Sequence, residues 1–303
     1  MKLIRPILIW LLAFVLTLAS AVYQRLTGPT HPARGTIEIA GEKISYKLLR
    51  NYNTGEDCPV SVKISNEQIN ASIIWKRYKM DEDVSGIKMH REGEALVAAL
   101  PMQPPAGKLE YEVLLQAGDE KVTIPVEGPA IIRYKGAVPA FVLIPHVLFM
   151  FAAMFVSMRV LLAAIGGGKV KKISWIAFSL LVLGGLFLGP VVQKYAFGAF
   201  WTGWPFGEDL TDNKTLLAVV GWIVALWFMR GSNGDRRGRW WAFAASLILF
   251  SIYMIPHSMR GSELDYSKLP GESTIETVDT VAVMDSSIMT EDTLNIPIPE
   301  NSQ

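Results

Sequence analysis

The sequence predicts a multi-pass membrane protein of the α+β class. Three observations carry that expectation. Long apolar runs alternate with charged loops, basic residues gather in every second short loop, and residues 35–134 alternate apolar and polar side chains in short segments. In chain order these give an N-terminal transmembrane anchor or signal peptide, an extracytoplasmic all-β sandwich, a four-helix transmembrane domain and a disordered tail. Half of the 303 residues are hydrophobic and the net charge is only +1, so the chain has no general basic field and nucleic acid is not an expected partner.

Residues 1–22 hold the first apolar run. It comes after Lys2 and Arg5 and ends in Ala19, Ser20 and Ala21, which fits both a cleavage motif and an uncleaved anchor. The anchor is the expected state, and either one exports the chain from about residue 24 onward. Residues 23–34 form a linker. Cys58 is the only cysteine, so no intramolecular disulfide can form and the exported part must be held by packing.

In residues 35–134, Val60, Val62 and Ile64 alternate with Ser61 and Lys63, and the same period recurs at Thr36, Ile37, Glu38 and Ile39 and at Lys121, Val122, Thr123 and Ile124. Short period-two segments separated by turn residues predict an all-β sandwich. The stretch Pro104, Pro105, Ala106, Gly107, Lys108, Leu109, Glu110, Tyr111 resembles the tyrosine corner of immunoglobulin-like and fibronectin type III domains. The resemblance is confined to this region. It implies that the Tyr111 hydroxyl ties its strand to the preceding connection and that Trp75 is a core tryptophan of an earlier strand. Such domains serve many functions, so the likeness speaks to fold alone. His90 has no cysteine, serine or carboxylate at catalytic spacing, and no enzymatic chemistry is expected here.

Four further apolar runs lie at residues 137–165, 173–192, 214–230 and 239–257. The last two are short for a bilayer, but Trp222, Trp227, Trp240 and Trp241 flank or end them as interfacial aromatics do. Lys169, Lys171 and Lys172 fill one connecting loop, and Arg230, Arg236, Arg237 and Arg239 fill another. The positive-inside rule assigns both to the cytoplasm. Glu208, Asp209 and Asp212 mark the intervening loop as external, together with the sandwich and the tail. A disulfide-free exported domain with compact loops suits a bacterial inner membrane.

Ionisable side chains inside apolar runs are costly and become functional candidates. His146 is followed by Met150, Met154 and Met158 on one helical stripe, and His257 ends the last run between Met254 and Met259. Imidazole and thioether suit haem iron or copper. His146 and His257 are therefore candidate cofactor ligands, with Met150 and Met154 as candidate metal ligands. The ordinary alternative makes the methionines packing residues and the histidine a cap. The aromatic, acidic loop before the fourth run supplies Trp201, Trp204, Glu208, Asp209 and Asp212, which with Arg260, Glu263 and Asp265 make a candidate outer-face pocket. Asp212 or Asn213 is the expected N-cap of the next helix. A loop that merely seats the bundle accounts for the same residues.

Residues 258–303 are rich in Ser, Thr, Glu and Asp and predict an acidic disordered tail, suited to a basic partner or to solubility. The leading functional expectation is a non-enzymatic protein of the lipid bilayer whose exported domain binds or positions protein partners outside the cytoplasm. A redox or metal-handling component using His146 and His257 is the alternative. A small transporter subunit is the third reading, weakened by the lack of an inverted repeat or a pair of broken helices.

Overall fold

The structure, a computed structural model, describes residues 4–28, 30–255 and 262–266. His257, Arg260 and the chain beyond residue 266 lie outside the described residues. The protein is α+β: one helix, a β-rich region and a group of helices succeed one another along the chain.

Helix α1 (Ile4–Thr27) is apolar on most of its surface. Eleven strands come next: β1 (Ala33–Ile39), β2 (Glu42–Leu48), β3 (Asn51–Asn53), β4 (Cys58–Lys63), β5 (Asn70–Arg77), β6 (Ser85–Lys88), β7 (His90–Glu92), β8 (Ala95–Leu100), β9 (Lys108–Ala117), β10 (Glu120–Ile124) and β11 (Ala130–Lys135). The period-two pattern is realised most strictly in β4, where Cys58, Val60 and Val62 are buried while Pro59, Ser61 and Lys63 are exposed. β1 and β2 form a hairpin around Ala40 and Gly41, both with positive φ, as a two-residue turn matched to strand twist requires. A second sheet runs β3-β11-β9-β5-β6, with β10 also on β9, and a third runs β4-β8-β7. All three contribute side chains to one core, among them Ile44, Val62, Ile73, Leu100, Leu109 and Ile132.

The large side chains of that core are Tyr111 and Tyr134, whereas Trp75, the expected core tryptophan, is half-buried at its margin. The Tyr111 hydroxyl donates to the Leu49 carbonyl at 2.8 Å. It therefore ties β9 to the segment between β2 and β3, and not to the connection just before it as the immunoglobulin-like resemblance implied. Tyr111→Phe leaves that carbonyl without its donor, and the expected cost is about 1–2 kcal/mol. A lowered thermal midpoint of the β-sheet circular dichroism signal in the full chain checks it, and an unchanged midpoint contradicts it. Cys58 is fully buried and burial pushes its thiol up to about 12. The thiolate is the reactive form, so N-ethylmaleimide is expected to leave the folded protein unmodified at pH 8 and to label Cys58 only after denaturation, as intact mass will report.

The helices are α2 (Ala140–Ile165), α3 (Lys171–Leu181), α4 (Gly189–Phe197), α5 (Leu210–Phe228), the short α6 (Gly234–Arg237) and α7 (Arg239–Met254). A π-helical segment, Val182–Leu188, joins α3 to α4 in one continuous rod, Lys171–Phe197. Among the described residues three helices are long and apolar enough to cross a membrane: Pro6–Thr27, Ala140–Ile165 and Lys171–Phe197. α7 is apolar but has only 16 residues, and α5 opens on a polar turn. α2 packs against α1, α3, the π segment and α7, while α5 packs against α3 and α7. Trp222, expected at an interface, is instead fully buried in the core of this group, whereas Trp227 and Trp240 are exposed.

Both basic loops lie at one end of the helices and are joined there. The Asp235 carboxylate accepts from the backbone N–H groups of Val170 and Lys171 at 2.7 and 2.8 Å, capping α3 from a neighbouring loop. Lys171 donates to the Gly231 carbonyl, and Arg239 to that of Gly167. The opposite end meets the β-region, where the Gly136 N–H donates to the Ala196 carbonyl at 2.9 Å.

Candidate functional site

The β-region end of the helices holds a cavity of about 370 Å³, within the range of small-molecule sites. Its lining is apolar at Leu143, Val147, Met150 and Phe151 of α2 and Val192 of α4, and polar at Arg133, at His146 of α2 and at Gln193, Asp209 and Asp212.

Asp209 and Asp212 are buried and organise this end of the bundle. Asp209 is the N-cap of α5, earlier than the expected Asp212 or Asn213: its Oδ1 accepts from the N–H groups of Thr211 at 2.8 Å and Asp212 at 3.4 Å. Its Oδ2 accepts from the Thr202 hydroxyl and from both the N–H and the hydroxyl of Ser262. Asp212 Oδ2 accepts from the N–H groups of Thr202 and Gly203 and from the Gln193 amide. The loop before α5 is thus folded onto the helix N-terminus, whose positive dipole end suits two carboxylates.

Residues 262–266 strap this loop to the β-region. Arg133 of β11 donates through Nη2 to the Ser262 carbonyl and stacks on the Phe197 ring, 4.0 Å from its centroid. Glu263 pairs with Lys79 at 2.7 Å and with Lys108 at 2.8 Å. Burial pushes the Glu263 carboxyl up, but hydrogen bonds and charge from the two lysines outweigh it and hold the group below its ordinary range. The Tyr266 hydroxyl is bonded to Lys108 and Gln103, and the Leu264 N–H donates to the Ala106 carbonyl. These five residues belong to the segment expected to be a disordered tail. Their backbone and side-chain partners on the β-region are what order them.

The predicted pocket residues separate accordingly. Asp209, Asp212 and His146 line one cavity. Glu263 is engaged with lysines of the β-region, and Asp265 and Glu208 are exposed. Trp201 donates from Nε1 to the Trp204 carbonyl, and Trp204 and Phe206 project outward, apart from the cavity. Met150 lines the cavity, whereas Met154 is buried in the helix core and is not part of the lining.

His146 Nδ1 donates to the Gly184 carbonyl at 2.9 Å, since a carbonyl can only accept. The π segment supplies that carbonyl, which also accepts the Gly189 N–H. Pro190 comes directly after; lacking an N–H, it favours this local widening of the helix. Gly184 admits α2 closely, because a Cβ there would lie 3.1 Å from the Met150 nitrogen. The bond leaves the His146 Nε2 lone pair available. Among the described residues no group of three or more His, Cys, Asp or Glu side chains is gathered for a metal.

Sequence reasoning missed Arg133 and Gln193. Arg133 interrupts the alternation of β11, where Ile132, Arg133 and Tyr134 are buried in succession. A charge inside such a run was the available signal. Burial pushes its guanidinium down, while the charges of Asp209 and Glu263 act the other way. Compared with known proteins, the chain matches no family model and no curated sequence.

Proposed function

We propose that this is a non-enzymatic membrane protein that holds its β-region against the outer face of a bacterial inner membrane, where that region binds or positions protein partners. The N-terminus and the two basic loops lie in the cytoplasm, and the β-region, the loop before α5 and the strap lie outside. The observation that carries the reading is the clamp of Asp209, Asp212, Thr202, Ser262 and Arg133. Side chains from a strand, a helix end, a loop and the strap share one network there, which fixes the β-region's orientation on the helices, as a positioning element needs. The basic loops sit together at the far end, in keeping with a single cytoplasmic face. Exposed Phe200, Trp204 and Phe206 have the chemistry of side chains seated at the outer interface. α5 and α7 complete the spanning group by packing on the longer helices, and the shared core of the three sheets supports a sandwich.

Photo-crosslinking residues placed on exposed strand positions of the full chain in living cells test this. Discrete protein adducts that appear only from one face of the β-region are the expected result. Uniform absence of adducts from every face contradicts a partner-binding role.

A redox or metal-handling role is favoured by one observation, the fixed His146 tautomer, since metal-bound histidines commonly donate their second nitrogen to a carbonyl. Metal analysis and a visible spectrum of the purified protein separate the readings: stoichiometric copper or a Soret band lost in His146→Ala supports the second.

A further inference from the structure

Arg133 is only 8% exposed, yet the structure gives its guanidinium one hydrogen bond, from Nη2 to the Ser262 carbonyl, and Nε is buried with no partner among the described residues. Among those residues no carboxylate comes within ion-pair distance of it. A buried cation ordinarily has a counter-charge and filled donors. Asp209 is near enough to be felt electrostatically, but both its oxygens are occupied by the donors of Thr211, Asp212, Thr202 and Ser262. Nε has no surface for a ligand to reach, but the cavity that Arg133 lines is the place from which a partner for the terminal N–H groups of its guanidinium can come.

The apolar lining gives the rest of the ligand. Leu143, Val147 and Phe151 line the cavity and still keep 40%, 43% and 37% of their surface exposed. These α2 side chains therefore keep surface that no other described residue covers, at the end of the helix that the reading above puts in the outer half of the bilayer.

We propose that the cavity binds an amphiphile with an anionic head, a carboxylate or a phosphate, held by Arg133, and an alkyl chain laid along Leu143, Val147 and Phe151. Arginine presents a planar donor fork that matches such heads, and the apolar wall takes the chain. The two acids in the cavity are tied to the first turn of α5 and to the N–H groups of the loop before it, which offset part of their charge. The proposal rests on the membrane reading only for the route by which the ligand arrives.

The test is equilibrium binding of radiolabelled palmitate to the full chain in phosphatidylcholine nanodiscs, with four competitors: 1-palmitoylglycerol 3-phosphate, monopalmitoylglycerol, dodecylammonium and inorganic phosphate. Saturable palmitate binding displaced by the palmitoylglycerol phosphate alone is the expected result. Arg133→Gln is expected to weaken it about tenfold or more, the scale of a charge-assisted contact. Val147→Trp, which fills the cavity from α2 and removes none of the contacts of Arg133, is expected to do the same. Equal binding by both variants and wild type overturns the proposal, as does displacement by dodecylammonium or monopalmitoylglycerol. Displacement by phosphate alone overturns the amphiphile and leaves a simple anion site. None of these outcomes bears on which way the β-region faces, so the two readings fail separately.

Discussion

Asp209→Ala is expected to destabilise the protein by about 2–5 kcal/mol, combining loss of an N-cap with buried donors left unsatisfied. The carboxylate is 8% exposed and does two tasks at once. Oδ1 caps α5 through the N–H groups of Thr211 and Asp212, and Oδ2 gathers Thr202 and Ser262. Removal frays the first turn of α5 and releases the strap, so the loop before α5 becomes accessible to protease well below the temperature at which the sheets melt. Asp209→Asn retains one acceptor oxygen and is expected to fall between alanine and wild type. Because the Thr202 hydroxyl donates to Asp209 itself, either substitution breaks the same bond, and the effects of Thr202→Val and Asp209→Ala should sum to more than the double variant loses. Thermal unfolding followed by tryptophan fluorescence, with limited proteolysis, measures all of this. An Asp209→Ala protein with wild-type stability and an intact loop removes the clamp from the account.

Trp222→Ala is the second change of large effect. Trp222 is the largest fully buried side chain and sits in the helix core, where Met154, Leu181 and Leu249 are also buried. Its removal leaves a void that neighbouring helices fill only in part, at an expected cost of about 3–5 kcal/mol. On the proposed membrane reading that cost is lost contact between packed atoms, because lipid is as apolar as the core. Its Nε1 has no hydrogen-bond partner among the described residues, so Trp222→Phe loses volume but no bond and should cost clearly less. Comparable thermal midpoints for the alanine variant and the wild type contradict this packing.

Trp222 also marks where the sequence stopped being legible. Tryptophans near the ends of short apolar runs ordinarily lie at an interface. Only the packing of α5 between α3 and α7 turns this one inward, and that is a tertiary fact. Period-two alternation made the β-region readable, and the lysine and arginine clusters located two loops that do meet. The Tyr111 bond went elsewhere because the acceptor, Leu49, comes from a strand end distant in sequence. At the site, Asp209 and Asp212 were identifiable as acids next to a helix start. The π segment that supplies the carbonyl to His146 has no signature beyond glycines before a proline. The strap was read as tail because Ser262, Glu263 and Asp265 are polar and aperiodic, and its order depends on partners at Asp209, Lys79 and Lys108 that no local pattern announces.

Sidedness is the property on which the proposed function depends. Buried Cys58 leaves the native chain silent to thiol reagents, so Lys121→Cys on the exposed side of β10 and Lys172→Cys at the start of α3 each provide a single reactive thiol. Spheroplasts carrying either variant are treated with a membrane-impermeant maleimide, before and after permeabilisation. Labelling of Lys121→Cys in intact spheroplasts, with Lys172→Cys labelled only once the membrane is opened, is the expected result. Labelling of both from the same side, or the reverse order, contradicts a β-region held at the outer face by a membrane-spanning bundle.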